Sequence, residues 1–373
     1  MTTHAAHIDA EREARASAGE TTQTNAPAAA RPASITQRLM RFAAAYVKSM
    51  RLYYSFITGL PGVLGLAYYQ FVAAAEGPIG RSSVMRTTEV PTPAADIVLI
   101  FVIIFLAWGI NQIINDALGL EEDRINAPQR PMVTGTLHVP TAVTLSIVLM
   151  LAACIATWLL LEPVAVVPLV AGVVLNVVYE YAKGHGIWGN IVFGIMISMC
   201  GAFGFMAAGP SDTGILTPGR LAMLGFVALV NGLMTFYTYF KDYTGDKAAG
   251  RITVIVRHGL EWSRRRAIVA AFLPSVAFAA AYAAFDVWPL PLNGVFLLLA
   301  ALTVLLEVYT GWLFFRNPAG EMTYYALSFN FRACACAEAA LIALFNPVLG
   351  IVMFLATWLL IGFLFNFHVN ARG

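Results

Sequence analysis

Charge is what this sequence has least of. Asp, Glu, Lys and Arg make up 12% of its 373 residues, about half the roughly 25% usual in a soluble domain. The hydrophobic share is 59% and the mean hydropathy +0.72. A chain so poor in ionisable groups cannot solvate a globular surface. The small net charge of +2 leaves no basic field for a nucleic-acid partner. Cysteine is scarce as well. Cys154, Cys200, Cys334 and Cys336 all lie in or near apolar segments. The Cys-Ala-Cys at 334–336 has no second pair and no nearby histidine, which argues against zinc, and all four read as packing residues without disulfides. The N-terminal stretch has almost no large apolar side chains, so it lacks the apolar core of a signal peptide. Residues 1–40 read as a disordered tail, ahead of one membrane domain over 41–373. No strand–loop–helix nucleotide-binding pattern and no internal repeat is visible.

What is present is a series of apolar runs near or above the ~20 residues that cross a bilayer as helix. Nine spans stand out, at roughly 53–75, 95–119, 139–161, 163–181, 188–209, 220–240, 266–285, 290–315 and 347–368. The fold class is therefore all-α, a polytopic membrane bundle of about nine transmembrane helices. A weaker stretch at 322–345 holds Asn330, Arg332 and Glu338, and reads as an interfacial helix, a short helix or a tenth span. With nine spans, 19 Lys and Arg fall on the N-terminal side, against Arg81, Arg86, Arg220 and Arg372 opposite. That asymmetry predicts an integral, multi-pass protein with its N-terminal side in the cytoplasm. The cluster Arg264-Arg265-Arg266 reads as an orientation and lipid-headgroup signal, and Gly189, Gly194, Gly201 and Gly204 as close-packing positions.

Two loops on the predicted cytoplasmic side hold most of the acids of interest. One runs from Asn115-Asp116 through Gly119, Glu121, Glu122, Asp123 and Arg124 to Arg130 and Gly135; the other runs from Tyr239 through Lys241, Asp242, Asp246 and Lys247 to Arg251. Acids at a membrane boundary are costly unless paired, solvated or bound to metal. Asp242 and Asp246 are four apart, so on a continuing helix they share a face and repel. A divalent cation removes that repulsion. Mg²⁺ takes hard oxygen ligands and usually binds one or two carboxylates plus substrate phosphates, so two acid clusters could hold Mg²⁺ across one diphosphate. Interleaved Lys and Arg could neutralise the remaining phosphate charge. Ordinary solvated loops anchoring helix ends are the plainer alternative for either motif alone.

The pair of motifs resembles the UbiA superfamily of intramembrane prenyltransferases. That family has nine spans and two acidic motifs, N-D-x-x-D-x-x-x-D and D-x-x-x-D, after spans two and six. Asn115, Asp116 and Asp123 match the first, followed by Ile-Asn-Ala-Pro-Gln-Arg-Pro; Asp242 and Asp246 match the second, followed by Lys-Ala-Ala-Gly-Arg. The run Lys183 to Asn190 resembles the family's K-R-H-G-L-L-G-N, and Arg51 sits where the family often has a basic residue. The resemblance covers roughly 45–315. One departure stands out: Gly119 replaces the central Asp of the first motif. The first metal cluster must then use Asn115, Asp123 and Glu122 or Glu121. The form N-x-x-x-G-x-E-E-D is closer to the branch of the superfamily that cyclises prenyl diphosphates.

The resemblance implies a Mg²⁺-dependent enzyme that ionises an isoprenyl diphosphate and passes the prenyl group to an aromatic acceptor. Its metal ligands would come from Asn115, Asp116, Glu122, Asp123, Asp242 and Asp246. Lys183, Arg130 and Lys241 would stabilise the leaving group. Arg251 either shares that role or anchors its loop, and Arg124 either contacts substrate or pairs with Glu121 or Glu122. Asn111, one turn before Asn115, either extends the site or makes an interhelical hydrogen bond. Aromatic faces attract cations, so Tyr179, Tyr237, Tyr239 and Trp188 are candidates to line the carbocation's path. His185 reads as a solvated loop residue. Cyclisation to a terpene is the alternative fate of the cation. A transporter or channel is the non-enzymatic alternative, with Glu307 as the main mid-span acid.

Overall fold

The computed structural model describes residues 34–74, 90–211, 215–288 and 290–370. The first 33 residues of the expected tail, with Arg12, Arg15 and Arg31, lie outside the described residues, as do Arg81, Arg86, Arg372 and the side chain of Glu122. Residues 35–40, expected in the tail, are instead helical.

The helices are α1 (Ile35–Met50), α2 (Ser55–Ala74), α3 (Ala94–Leu118), α4 (Leu120–Asn126), α5 (Val139–Leu160), α6 (Val166–Ala182) and α7 (Trp188–Met206). They continue with α8 (Pro218–Ala248), α9 (Val254–His258), α10 (Leu260–Ala270), α11 (Leu273–Ala279), α12 (Gly294–Arg316), α13 (Met322–Phe345) and α14 (Pro347–Asn370). A π turn at Ala280–Ala284 extends α11. Two-residue strands β1 (His185–Gly186) and β2 (Ile252–Thr253) pair in parallel and tie the α6–α7 connection to the α8–α9 connection. Among the described residues, ten helical stretches are long and apolar enough to span a membrane.

The tenth is α13, the stretch of weak hydropathy. It is almost wholly buried, packed against α2, α8, α12 and α14. Its polar side chains find partners inside protein rather than facing lipid, except that Glu338 Oε2 is buried without a hydrogen-bond partner. Asn231 Nδ2 on α8 donates to Glu338 Oε1 at 2.7 Å, Asn330 Nδ2 donates to the Met234 carbonyl at 2.8 Å, and Arg332 Nε donates to the Trp358 carbonyl at 3.2 Å. Hydropathy scales score a span against lipid, so a helix surrounded by other helices reads as too polar. Glu307 on α12 is buried, and its Oε2 has no hydrogen-bond partner.

Small residues set the helix spacing where backbones approach most closely. A Cβ on Gly204 would run into the Gly62 carbonyl oxygen of α2, and one on Gly194 into the Ala228 carbonyl oxygen of α8. The four cysteines are free, with Cys334 and Cys336 buried.

Candidate active site

Both acid-bearing segments continue helices that span the bundle. α3 ends at Gly119, whose amide caps onto the Asn115 carbonyl at 2.8 Å, and α4 starts at once. This presents Asn115, Asp116 and Asp123 to a shared cavity. α8 stays helical for 31 residues, about 46 Å at 1.5 Å per residue, well past the ~30 Å hydrocarbon core. Asp242 and Asp246 therefore do lie on a continuing helix, four apart. The α6–α7 connection brings Lys183 beside them.

These segments meet around a cavity of about 110 Å³. Of the residues singled out from sequence, it is lined by Arg51, Asn115, Asp116, Asp123, Arg130, Tyr179, Lys183, Tyr239, Lys241 and Asp242, with Gly119 among them. Asp246 sits one step behind, with Lys183 Nζ 3.7 Å from its Oδ1. Every one of these carboxylates faces a cation. Arg51 Nη2 is 2.6 Å from Asp116 Oδ1, which also accepts from Gln112 Nε2 at 2.7 Å. Arg130 pairs with Asp123 and lies 3.5 Å from Asp116. Lys241 Nζ is 3.1 Å from Asp242 Oδ1.

Charge and burial oppose each other here. Burial alone would depress the basicity of Arg51 and Lys183, but Asp116 beside the first, and Asp246 and Asp242 beside the second, more than offset it, and both pKa values rise. Asp123 moves upward because burial outweighs Arg130.

Other expected residues point elsewhere. Arg124 pairs with Glu121 at 3.0 Å on the surface. Arg251 donates to the Glu180 carbonyl at 2.8 Å and lies 3.8 Å from its carboxylate, so it clamps the end of α6; burial pulls its pKa down. Asn111 accepts from Asn176 Nδ2 at 3.0 Å across helices. It borders a second, apolar chamber of about 290 Å³ between α3, α5, α6 and α7. Tyr237 donates to the Ala267 carbonyl at 2.6 Å, Trp188 is largely exposed, and His185 is held by the Tyr181 carbonyl in the loop.

The sequence reading missed several lining residues. Tyr54 and Trp108 stack at 4.7 Å with their planes 10° apart, and Phe193 meets Trp108 edge-on. Trp108 borders both the polar cavity and the apolar chamber. Glu180, Gln112, Thr235 and Thr238 also line the polar cavity. Within a span these aromatics look like packing; a one-turn count back from Asp116 would have found Gln112.

A metal can be tested against these donors. Asn115 Oδ1 and both Asp246 oxygens are buried without hydrogen-bond partners. Among the described residues no three His, Cys, Asp or Glu side chains converge tightly enough to hold an ion alone. Hard oxygens in ones and twos suit Mg²⁺ that completes its shell with water and phosphate. They do not suit a closed all-protein cage.

The UbiA prenyltransferase family model matches residues 79–331. The chain belongs to that family. Curated relatives include the digeranylgeranylglyceryl phosphate synthase of Thermococcus sibiricus, 27% identical over 60% of this chain and 72% of that one. The enzyme of the same name from Methanothermobacter thermautotrophicus is 32% identical over 45% of this chain and 57% of its own length. Among solved structures, an apo UbiA homologue from Aeropyrum pernix superposes with TM-score 0.60 at 16% identity, covering 78% of this chain and 96% of that one. A UbiA homologue from Archaeoglobus fulgidus, bound to DMAPP and Mg²⁺, superposes with TM-score 0.55 at 13% identity, over 78% and 98%. The fold is thus the UbiA membrane bundle, and the protein is a UbiA-family intramembrane prenyltransferase.

Proposed function

We propose that this enzyme uses Mg²⁺ to ionise a prenyl diphosphate and transfers the allylic group to an acceptor that itself carries an anion. The convergence of acids and bases from α3, α4, α8 and the α1–α2, α4–α5 and α6–α7 connections around one cavity supports the first half. Asn115, Asp123, Asp242 and Asp246 would hold the metal. Mg²⁺ would supply charge neutralisation to the departing diphosphate. Lys183, Arg130 and Lys241 would bind its oxygens once released from their carboxylates. Breaking the allylic C–O bond sends its electron pair to diphosphate. The acceptor's nucleophilic atom supplies the pair for the new bond, and its proton passes to the released diphosphate. Tyr54, Trp108, Tyr179, Tyr239 and Phe193 would face the cation and keep water away. The apolar chamber beyond Trp108 is suited to the prenyl tail.

A second small cavity supports the anionic acceptor. It shares Arg51, Arg130, Lys241 and Asp116 with the first and adds Lys48. Its lining carries four cations and one carboxylate, and Arg130 and Lys241 also face Asp123 and Asp242, so phosphate or carboxylate would be favoured once Mg²⁺ takes those two acids. The names of the curated relatives favour a glyceryl phosphate over the aromatic acceptor expected from sequence. Gly119 favours a second reading, cyclisation of the cation by its own double bonds. The Lys and Arg excess supports a cytoplasmic position for the acid-bearing end.

The test is purified protein in detergent with Mg²⁺ and farnesyl or geranylgeranyl diphosphate, run with a prenylated glyceryl phosphate, with a hydroxybenzoate, and with neither. Mass analysis should find an ether adduct of the glyceryl phosphate. A cyclic hydrocarbon or alcohol in the acceptor-free arm would replace transfer by cyclisation. An adduct on the hydroxybenzoate alone would restore the aromatic acceptor.

A further inference from the structure

On the side of α8 turned away from the active-site cavity lies a groove of about 400 Å³ between α7, α8 and α10. Helical periodicity separates the two faces. Met234, Thr235, Thr238 and Asp242 line the active-site cavity, whereas Leu229, Gly232, Leu233 and Phe236 line the groove. Its wall is apolar and lies in helices that span the membrane, so an acyl chain is the filler at hand. Two polar residues interrupt it, Asn190 and Arg266. Both sit near the end of the bundle that carries the acids: Asn190 is the third residue of α7, just after Lys183, and Arg266 is in the second turn of α10.

The three arginines of α10 are not equivalent. Glu261 accepts from Arg264 Nε at 2.5 Å and from Arg265 Nε at 2.9 Å. Among the described residues no carboxylate reaches Arg266, whose guanidinium lies over the Trp262 ring at 5.0 Å. A cation at the rim of an apolar membrane groove is complementary to a lipid phosphate. Asn190 supplies the second feature. Its Nδ2 donates to the Gly232 carbonyl at 3.1 Å, while its Oδ1 is buried and without a hydrogen-bond partner. That leftover acceptor needs a donor, and a hydroxyl of a lipid head group is one.

We infer that this groove binds one anionic phospholipid with a hydroxyl-bearing head group. Its phosphate sits on Arg266, its hydroxyl serves Asn190, and an acyl chain lies along α8. Lipid retention is read without turnover, so the groove and the proposed reaction can fail separately.

The test is native mass spectrometry of the full chain released from nanodiscs of equal phosphatidylglycerol and phosphatidylcholine. Wild type should retain one phosphatidylglycerol in preference. Arg266→Gln should weaken that preference about fivefold, the scale of one basic side chain near a lipid surface, and Arg266→Lys should restore part of it. Arg265→Gln, on a residue already paired, should change nothing. Ala270→Phe, which fills the groove, should lower retention of both lipids. Equal retention of the two lipids by wild type, or unchanged preference in a folded Arg266→Gln protein, would overturn the inference. So would displacement of the lipid by free glycerol 3-phosphate, which would make the ligand a soluble phosphate.

Discussion

Arg51 Nη2 and Asp116 Oδ1 lie 2.6 Å apart across the active-site cavity, and Arg51 holds a left-handed backbone, φ 48 and ψ 66. A non-glycine residue in that region costs on the order of 1–2 kcal/mol, so the surroundings must hold it there. The strained residue links α1 to the short 3₁₀ turn ahead of α2, and the strain aims its side chain into the site. Asp116 Oδ1 already receives Arg51 and Gln112 and has Arg130 nearby. Asp116 would then set two arginines more than bind metal. Asp116→Asn should lower kcat/KM by roughly 10–100-fold, the usual range for a residue that orients the groups of a metal site. Its Mg²⁺ half-saturation should move less than that of Asp123→Asn. Titrating Mg²⁺ in both variants checks this; an equal rise would make Asp116 a ligand.

Lys183 and Asp246 form a pair in which the acid is fully buried. Removing one partner of a buried pair strands the other, which costs about 3–5 kcal/mol. Asp246→Ala should thus lose activity and also some stability, whereas Asp242→Ala, on the cavity wall beside Lys241, should lose activity alone. Thermal melts in detergent alongside the turnover assay separate the two. Wild-type turnover in either variant would count against a metal role.

Much of the site was legible because its chemistry is unusual for its setting. Acids and bases at span ends stand out against an apolar background, and seven of those picked from the sequence line one cavity. Arg124 and Arg251 look no different in sequence, yet one pairs on the surface with Glu121 and the other clamps Glu180. The rotation of a helix end decides that, and residue type does not report it. Tyr54, Trp108 and Phe193 were hidden for the opposite reason: in a membrane span an aromatic residue is unremarkable. The helix α13 looked weak because hydropathy cannot tell burial in protein from burial in lipid.

Gly189 opens α7 directly beneath the site. An added Cβ there would lie 2.6 Å from the Tyr239 hydroxyl and 2.9 Å from the Lys183 Cα. The first is the far end of a side chain, but the second is backbone and cannot swing away. Gly189→Ala should displace the Lys183 connection and cut kcat by about 100-fold, since errors near 1 Å cost that much in a positioned site. Loss of thermal stability should stay small. Wild-type kcat in this variant would show that the connection has slack.

Gly204 governs the bundle rather than the site. Its Cβ would collide with the Gly62 carbonyl of α2, so Gly204→Ala must push two central helices apart. Overpacking of this kind costs about 1–3 kcal/mol or more. The melting temperature in detergent should fall, and kcat of the folded fraction should change little.

Gly119 lies where the family's first acidic motif carries its central Asp, and it lines the cavity with φ −93. That backbone accepts any L residue. An added Cβ would meet only the Asn115 carbonyl oxygen, at 3.3 Å, which must give by a few tenths of an ångström. Gly119→Asp should therefore fold and place a carboxylate between Asn115 and Asp123. Two outcomes separate the readings of this position. If the glycine is a missing ligand, the added acid should lower the Mg²⁺ concentration for half-maximal activity several-fold and leave the product unchanged. If the space itself is used, because a folded prenyl chain must pass the Asn115–Asp123 wall, Gly119→Asp should abolish turnover at every Mg²⁺ concentration. The transfer reading expects the first result, because an extended tail leaves through the apolar chamber past Trp108 and does not need the room above Gly119.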